Sequence, residues 1–275
     1  MLEAAQYSDL QKQSVATVRA AIRSGTYVGQ TAGLANGRLQ ANLVILPAEH
    51  ADEFEAYCSK NPRSCPLVGK TNVGDPCWRE LGDIDVRSDV PSYNIYRNGS
   101  LDGKVTDITN LWRDDSVAFA LGCSFTFESA LLRAEVPLPH VAANRTVPMY
   151  RTNIETTPVG PFCGGMVVSM RRIPHDKIDR AKATSSMFPW AHGAPVHVGD
   201  PSAIGIRDIA QPDWGDSPVG EGVEVFWACG VTPQNALENA KLPFVVTHTP
   251  GHMLITDIED TENAFINQKL NRRET

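Results

Sequence analysis

The chain has 275 residues, 42% of them apolar, and a net charge of −7, which suits one large α/β domain or two lobes sharing a core. An acidic surface argues against nucleic acid, and no apolar run reaches the roughly 18 residues of a membrane span. The N-terminus lacks the basic start and apolar core of a secretory signal, and six cysteines without a Cys-x-x-Cys pair fit free thiols in a reducing, cytoplasmic setting.

In chain order, Ser8 to Gln11 reads as a capping box for a helix carrying Val15, Val18 and Ile22, with Gly25 as its stop. Arg19 and Arg23 lie on one flank of that helix. Gly25, Gly29, Gly33 and Gly37 punctuate a loop holding Thr31, with Gln40 and Asn42 just beyond it; such glycine density suggests backbone brought close to something. Leu43 to Leu46 reads as a short buried strand, and Pro47 opens a helix whose core side carries Ala51, Phe54 and Cys58. Residues 61–87 are loop-rich. Tyr93 to Tyr96, followed by Asn98-Gly99, predicts a strand and turn.

Leu111 to Leu121 has the composition of a helix, interrupted by Gly122-Cys123-Ser124. Ser124 can cap a second helix holding Phe125, Glu128 and Leu131. A thiol at a helix start has its thiolate favoured by the dipole, so Cys123 is expected to be reactive, the competing reading being a buried structural thiol. Arg145 to Thr152 and Met166 to Arg171 read as strands, and Pro174 starts a helix through Ile178 and Ala181. His192, His197 and Asp200 sit among Gly and Pro on a rigid loop, where His197 and Asp200 could share a proton or a metal ion. The polar tail from Asn263 to Thr275 is expected to fray.

The stretch from Glu221 to Asp257 reads as strand, turn, helix, strand, loop, strand. Val223 to Cys229 is β-branched and aromatic, Thr232 is placed as N-cap with Pro233 at the first helical position, and Phe244 to His248 forms the next strand. A βαβ unit of this kind predicts parallel pairing. It would bring Cys229 and His248 to the carboxyl edge of one sheet, where ligands bind and where the helix start favours an anion. A small anionic substrate is therefore expected near Cys229, Gly230, Thr232, His248 and His252, although Cys229 and His248 could equally be ordinary core and loop residues.

Several longer words then carry a resemblance: residues 122–128 around Cys123, 147–153 around Arg151, 167–171, 192–197, 226–234 around Cys229, and 247–253 around His248 and His252. Together they resemble the bacterial hydro-lyase family, also called the D-glutamate cyclase family, from Arg19 to Asp257. Asn36, Gly165 and Arg172 depart from that pattern at motif edges. The resemblance implies two α/β lobes, a three-layer αβα sandwich and a smaller two-layer one. With the parallel pairing above, the larger sheet is expected to be mixed and partly parallel. The larger lobe is assigned to 1–133 plus 205–275, and the smaller to 134–204. The resemblance also implies a carbon–oxygen lyase, with cyclisation of D-glutamate to 5-oxo-D-proline as the expected reaction. A hydroxy-acid dehydratase and a carboxylate-binding protein without catalysis are the alternatives.

For such chemistry His192, His197 and His252 are candidate acid and base, with Asp200 orienting one imidazole. Arg151, with Thr152 beside it, would clamp a carboxylate. The helix starts at Ser124 and Thr232 would stabilise an oxyanion. Glu128 joins the catalytic candidates. Cys123 or Cys229 as covalent nucleophile is disfavoured, because a thioester from an unactivated carboxylate is uphill. No cofactor is assigned from the residues; a divalent metal held by His197 and Asp200, with His252 as a further ligand, is the alternative Lewis acid. The expected partner is a small anion, with neither nucleic acid nor membrane and with a homo-oligomer left open.

Overall fold

The computed structural model describes residues 2–143 and 145–261; the expected fraying of the tail lies outside them. Two sheets form the frame. The larger takes strands β1 (Arg38–Pro47), β2 (Leu67–Lys70), β3 (Tyr93–Arg97), β4 (Ser100–Val105), β5 (Ser116–Gly122), β10 (Val245–His248) and β11 (Leu254–Glu259), in the order β2-β5-β1-β10-β3-β4 with β11 also on β1. The smaller runs β6-β7-β9-β8, from β6 (Met149–Glu155), β7 (Gly165–Ile173), β8 (His197–Val198) and β9 (Val223–Ala228). The helices are α1 (Leu2–Leu10), α2 (Val15–Arg23), α3 (Ala51–Lys60), α4 (Phe125–Arg133), α5 (Pro139–Ala142), α6 (Ile178–Ser186) and α7 (Thr232–Ala240). Among the described residues no helix is long and apolar enough to cross a membrane.

The two-lobe α/β class holds, but the parallel pairing does not. Every strand pairing among the described residues is antiparallel. The expected βαβ unit exists in order only, because α7 hands the chain from β9 in the smaller sheet to β10 in the larger one. The lobe boundary moves accordingly: β9 belongs with the smaller sheet, so the chain returns to the larger sheet only after residue 228 rather than at residue 205. Residue 133 shifts too, since α4 packs Phe127 and Leu131 against Trp227 and Ile173 of the smaller sheet.

Strand β1 explains how the larger lobe is built. Its odd positions Leu39, Ala41, Leu43 and Ile45 pack under Trp78, Leu81, Ile84 and Val86 of the loop-rich segment. Its even positions Val44 and Leu46 face Phe54 and Tyr57 of α3 and Leu237 of α7. One face is thus covered by helices and the other largely by irregular chain. The even positions before Val44, namely Arg38, Gln40 and Asn42, are polar, and they mark where that face turns from core to site.

Two local expectations are corrected. Leu111 to Leu121 is not a helix; Ser116–Gly122 is a wholly buried strand between β1 and β2, and a continuous apolar run suits either state until its neighbours are known. The N-terminal cap is Ser14, whose Oγ accepts from the Thr17 N–H at 3.2 Å, while Ser8 lies inside α1. The Asn98-Gly99 turn does join β3 to β4, with both residues at positive φ.

Candidate functional site

A cavity of about 250 Å³ lies between the 30–38 loop with α1 on one side and α4, α5 and residues 145–147 on the other. Arg38 and Gln40 reach it from β1, Glu128 from α4, His140 from α5, and Arg145, Gly251 and Asp260 from the surrounding loops. The volume is just below the roughly 300 Å³ at which drug-sized pockets begin, a size for a small metabolite.

Its wall is organised from behind by Arg171. The alternation of β7 sends Ser169 and Arg171 to the α4 side, where the guanidinium lies 5.1 Å from the Phe127 ring and 5.3 Å from that of Trp227. The Arg171 side chain has no solvent exposure. Its Nη1 donates to Ser169 Oγ and its Nη2 to Ser124 Oγ, each at 3.0 Å, and Nε and Nη2 donate to Glu128 Oε1 at 3.0 and 2.6 Å. Ser124, the N-cap of α4, and Glu128 are four apart and so lie on one side of the helix.

Glu128 Oε1 also meets His140 Nε2 at 3.0 Å. Burial opposes ionisation of this carboxyl, but the Arg171 charge and the two residues' hydrogen bonds together override it and bring it down to about 2. An ionised Glu128 only accepts, so the His140 Nε2 carries a proton and Nδ1 is the ring atom left to take one. Among the described residues, Glu128 Oε2 has no hydrogen-bonding partner.

Beside this wall the chain passes between lobes twice, at Cys123 after β5 and at Cys229 after β9. Gly122 and Gly230 flank the crossings, and neither leaves room for a side chain. A Cβ on Gly122 would lie 1.6 Å from the Trp190 carbonyl oxygen, and one on Gly230 2.1 Å from Asn42 Nδ2. Strands β10 and β11 run along the same edge of β1 and are interrupted at its middle. His248 fills the break, its Nδ1 accepting from the Leu43 N–H at 3.2 Å. His248 is tied to α7, since Gln234 Nε2 donates to its carbonyl at 3.1 Å, but Cys229 and His248 end strands of different sheets and so do not share one sheet edge.

Of the residues singled out from sequence, Glu128 lines the cavity and Ser124 supports its wall through Arg171. Cys123 and Cys229 lie near that wall, and burial pushes their thiols up to about 12 and about 11, which opposes the activated thiol that the helix position of Cys123 suggests. Thr232 is the first residue of α7 rather than its cap; its hydroxyl accepts from the Val167 N–H at 3.0 Å and stitches the helix to β7. Arg151 is half exposed, stacked on Trp214 at 4.5 Å and paired with Asp213 at 3.2 Å. Thr152 donates to the Met166 carbonyl at 2.7 Å.

The histidine loop divides. His192 is buried at a φ of 79°, with Nδ1 2.7 Å from the Arg63 carbonyl, and burial lowers its pKa to about 4. His197 stacks near Phe226 and meets the backbone carbonyl of Asp200 at 2.8 Å, while the Asp200 carboxylate caps Ser202 instead of orienting the ring. His252 sits against the Pro250 carbonyl at 3.1 Å. Among the described residues no three His, Cys, Asp or Glu side chains gather as a metal site, so His197, Asp200 and His252 do not form one. Arg151, His197 and Thr232 do not meet at the cavity.

His140, Arg171 and Gln40 are the residues sequence reading passed over. Arg171 carried a signal, an arginine closing the apolar word Val167 to Met170, and Gln40 another, a polar residue at the head of a buried strand. His140, within a Pro-rich crossing, carried none.

Comparison with known proteins follows the same lines. The family model described as D-glutamate cyclase matches residues 117–257, more than half of the chain, a range that includes Glu128, His140 and Arg171. A protein of Dinoroseobacter shibae named "Putative hydro-lyase" is 59% identical over 260 residues, covering 93% of this chain and 87% of that one. A protein of the same description from Ruegeria pomeroyi is 56% identical over 271 residues, covering 97% and 98%, and one from Bradyrhizobium diazoefficiens is 52% identical over 252 residues, covering 90% and 92%. The solved structure of a nitrogen repressor-like protein from Methanococcus jannaschii overlaps 86% of this chain and 96% of that one, at a TM-score of 0.37 and 11% identity, too slight a likeness to bear on the fold. With a matching family model over most of the sheet frame and relatives above half identity along nearly their whole length, this chain belongs to the D-glutamate cyclase family of hydro-lyases.

Proposed function

We propose that the protein is a hydro-lyase that cyclises D-glutamate to 5-oxo-D-proline in the cavity walled by Glu128 and His140. The observation that carries this reading is the Arg171–Glu128–His140 chain. A buried guanidinium holds a carboxylate ionised, and the carboxylate holds a proton on Nε2, leaving Nδ1 as a base.

The proton count suits a single shuttling imidazole. The substrate enters with three protons on its ammonium nitrogen and leaves with one on the ring amide. The two protons shed by nitrogen are the two that the departing oxygen needs to become water. His140 takes one proton from the ammonium, the freed lone pair attacks the side-chain carboxyl carbon, and the imidazole delivers that proton and then the nitrogen's second one to a single carboxyl oxygen, whose bond to carbon breaks as water leaves. Glu128 stays ionised and steadies the imidazolium while it exists. Both signs of charge line the cavity, Arg38 and Arg145 against Glu128 and Asp260, which suits an amino-acid zwitterion better than a hydroxy-acid.

The test is proton NMR of purified protein with D-glutamate, L-glutamate and a set of 2-hydroxy-acids. Conversion of D-glutamate to the lactam is expected, with kcat falling by about 10²–10⁴ in His140→Gln. Loss of water from a hydroxy-acid alone would replace this reading with a dehydratase. A carboxylate that raises the melting temperature without any turnover would leave a binding protein.

A further inference from the structure

Gln40 sits on β1 with 5% exposure, and its amide has only one possible orientation. Nε2 donates to the Thr31 carbonyl at 2.9 Å and to the Leu34 carbonyl at 3.0 Å. Both partners are acceptors, so the nitrogen must face them and the oxygen must occupy the other arm. That oxygen, Oε1, is buried and has no hydrogen-bonding partner, although buried side-chain acceptors are nearly always satisfied. Gln40 lines the same cavity as Glu128, whose Oε2 has no partner in the described residues but, unlike Gln40 Oε1, is not shut off from solvent, while its Oε1 serves Arg171 and His140.

We infer that Gln40 is the specificity-determining residue for the substrate's amine: its Oε1 and Glu128 Oε2 are two acceptors that together take N–H groups of a primary ammonium. This rests on the cavity's being the substrate site. The chemistry is selective because an ammonium offers three donors, a hydroxyl one and a methylene none. A site with two committed acceptors leaves both unpaired when the amine is missing, and pockets built to bond a polar group discriminate strongly against analogues lacking it. The glycine-rich 30–38 loop acquires a purpose by the same geometry, since its carbonyls at Thr31 and Leu34 fix which way the amide points.

The experiment compares binding of D-glutamate, 2-hydroxyglutarate and glutarate to the full chain by titration calorimetry at neutral pH. D-Glutamate is expected to bind at least about tenfold more tightly than glutarate, with the hydroxy-acid between them. In Gln40→Met, close in length but without the acceptor, the ratio is expected to fall towards one and KM for D-glutamate to rise more than kcat falls. A ratio unchanged in a folded Gln40→Met protein overturns the role of Gln40 and leaves the site reading intact. Should Gln40→Met not fold, equal wild-type affinities for the three ligands overturn it as well. Binding of none of the three overturns the site reading, and this inference with it.

Discussion

Arg171 donates twice to a single carboxylate oxygen of Glu128, at 3.0 and 2.6 Å, from a side chain with no exposure to solvent. A pair this dry is held because each charge is the other's chief offset against a large desolvation cost, with His140, Ser124 and Ser169 completing the hydrogen bonds. Arg171→Met is therefore expected to destabilise the protein by about 3–5 kcal/mol, since it strands a buried carboxylate. The double variant Arg171→Met, Glu128→Met should regain much of that loss, because neither charge is left behind, while remaining inactive. Denaturant melts of the three variants decide this; a double variant no more stable than Arg171→Met would mean that packing, not charge, is the main cost.

Acid should weaken the fold in two stages. His192 and His248 are buried, and their pKa values drop from 6.5 to about 4. The unfolded chain binds protons there first, so the neutral rings contribute stability that is full above pH 6.5 and lost as pH falls towards 4. Each contributes on the order of 3 kcal/mol. Glu128 follows the same sign with a lower window: its pKa is depressed from 4.5 to about 2, so its share is present above pH 4.5 and disappears between there and about 2. Melting temperatures between pH 8 and 3 should decline from about 6.5 downwards, and His248→Gln should flatten the upper part of that slope. A flat profile to pH 5 would contradict the burial of both rings.

The lobe crossing at Gly122 tolerates no side chain, whereas Gly103 on β4 has nothing within 4 Å of the Cβ position. Gly122→Ala is expected to cost about 3 kcal/mol or more, because the obstruction is the Trp190 backbone and cannot rotate away. Gly103→Ala should be neutral or slightly stabilising. Thermal unfolding of the pair, made side by side, checks the close approach directly.

Cys77 and Cys163 are exposed, while Cys58, Cys65, Cys123 and Cys229 are buried. Brief alkylation of native protein at pH 8 should label Cys77 and Cys163 alone, and mass spectrometry of the digest reads the sites. Rapid labelling of Cys123 under native conditions would restore the activated-thiol reading, which burial of its sulfur now opposes.

Much of the local structure was legible. The strands at 166–171 and 223–229, the 98–99 turn and the α4 helix with Glu128 follow from composition and capping patterns that operate within a few residues. The Leu111–Leu121 segment is not decided by its own residues, because an apolar run fits a buried strand as well as a helix, and only the presence of β1 and β2 on either side settles it. The β9–α7–β10 order is legible in the sequence and its pairing is not, because order along the chain does not say which sheet receives each strand.

The sequence by itself determined the family, through long specific words around Cys123, Arg151 and Cys229, and with it the two-lobe α/β class. Only the tertiary structure decided which charges share a wall. Glu128 meets His140 twelve residues on and Arg171 forty-three on, and Gln40 lines the same cavity from the opposite lobe. Side-chain propensities act over a turn of helix or a few strand positions. Ionisation, by contrast, depends on which groups are stripped of water together, and that is settled only where the two lobes close on one another.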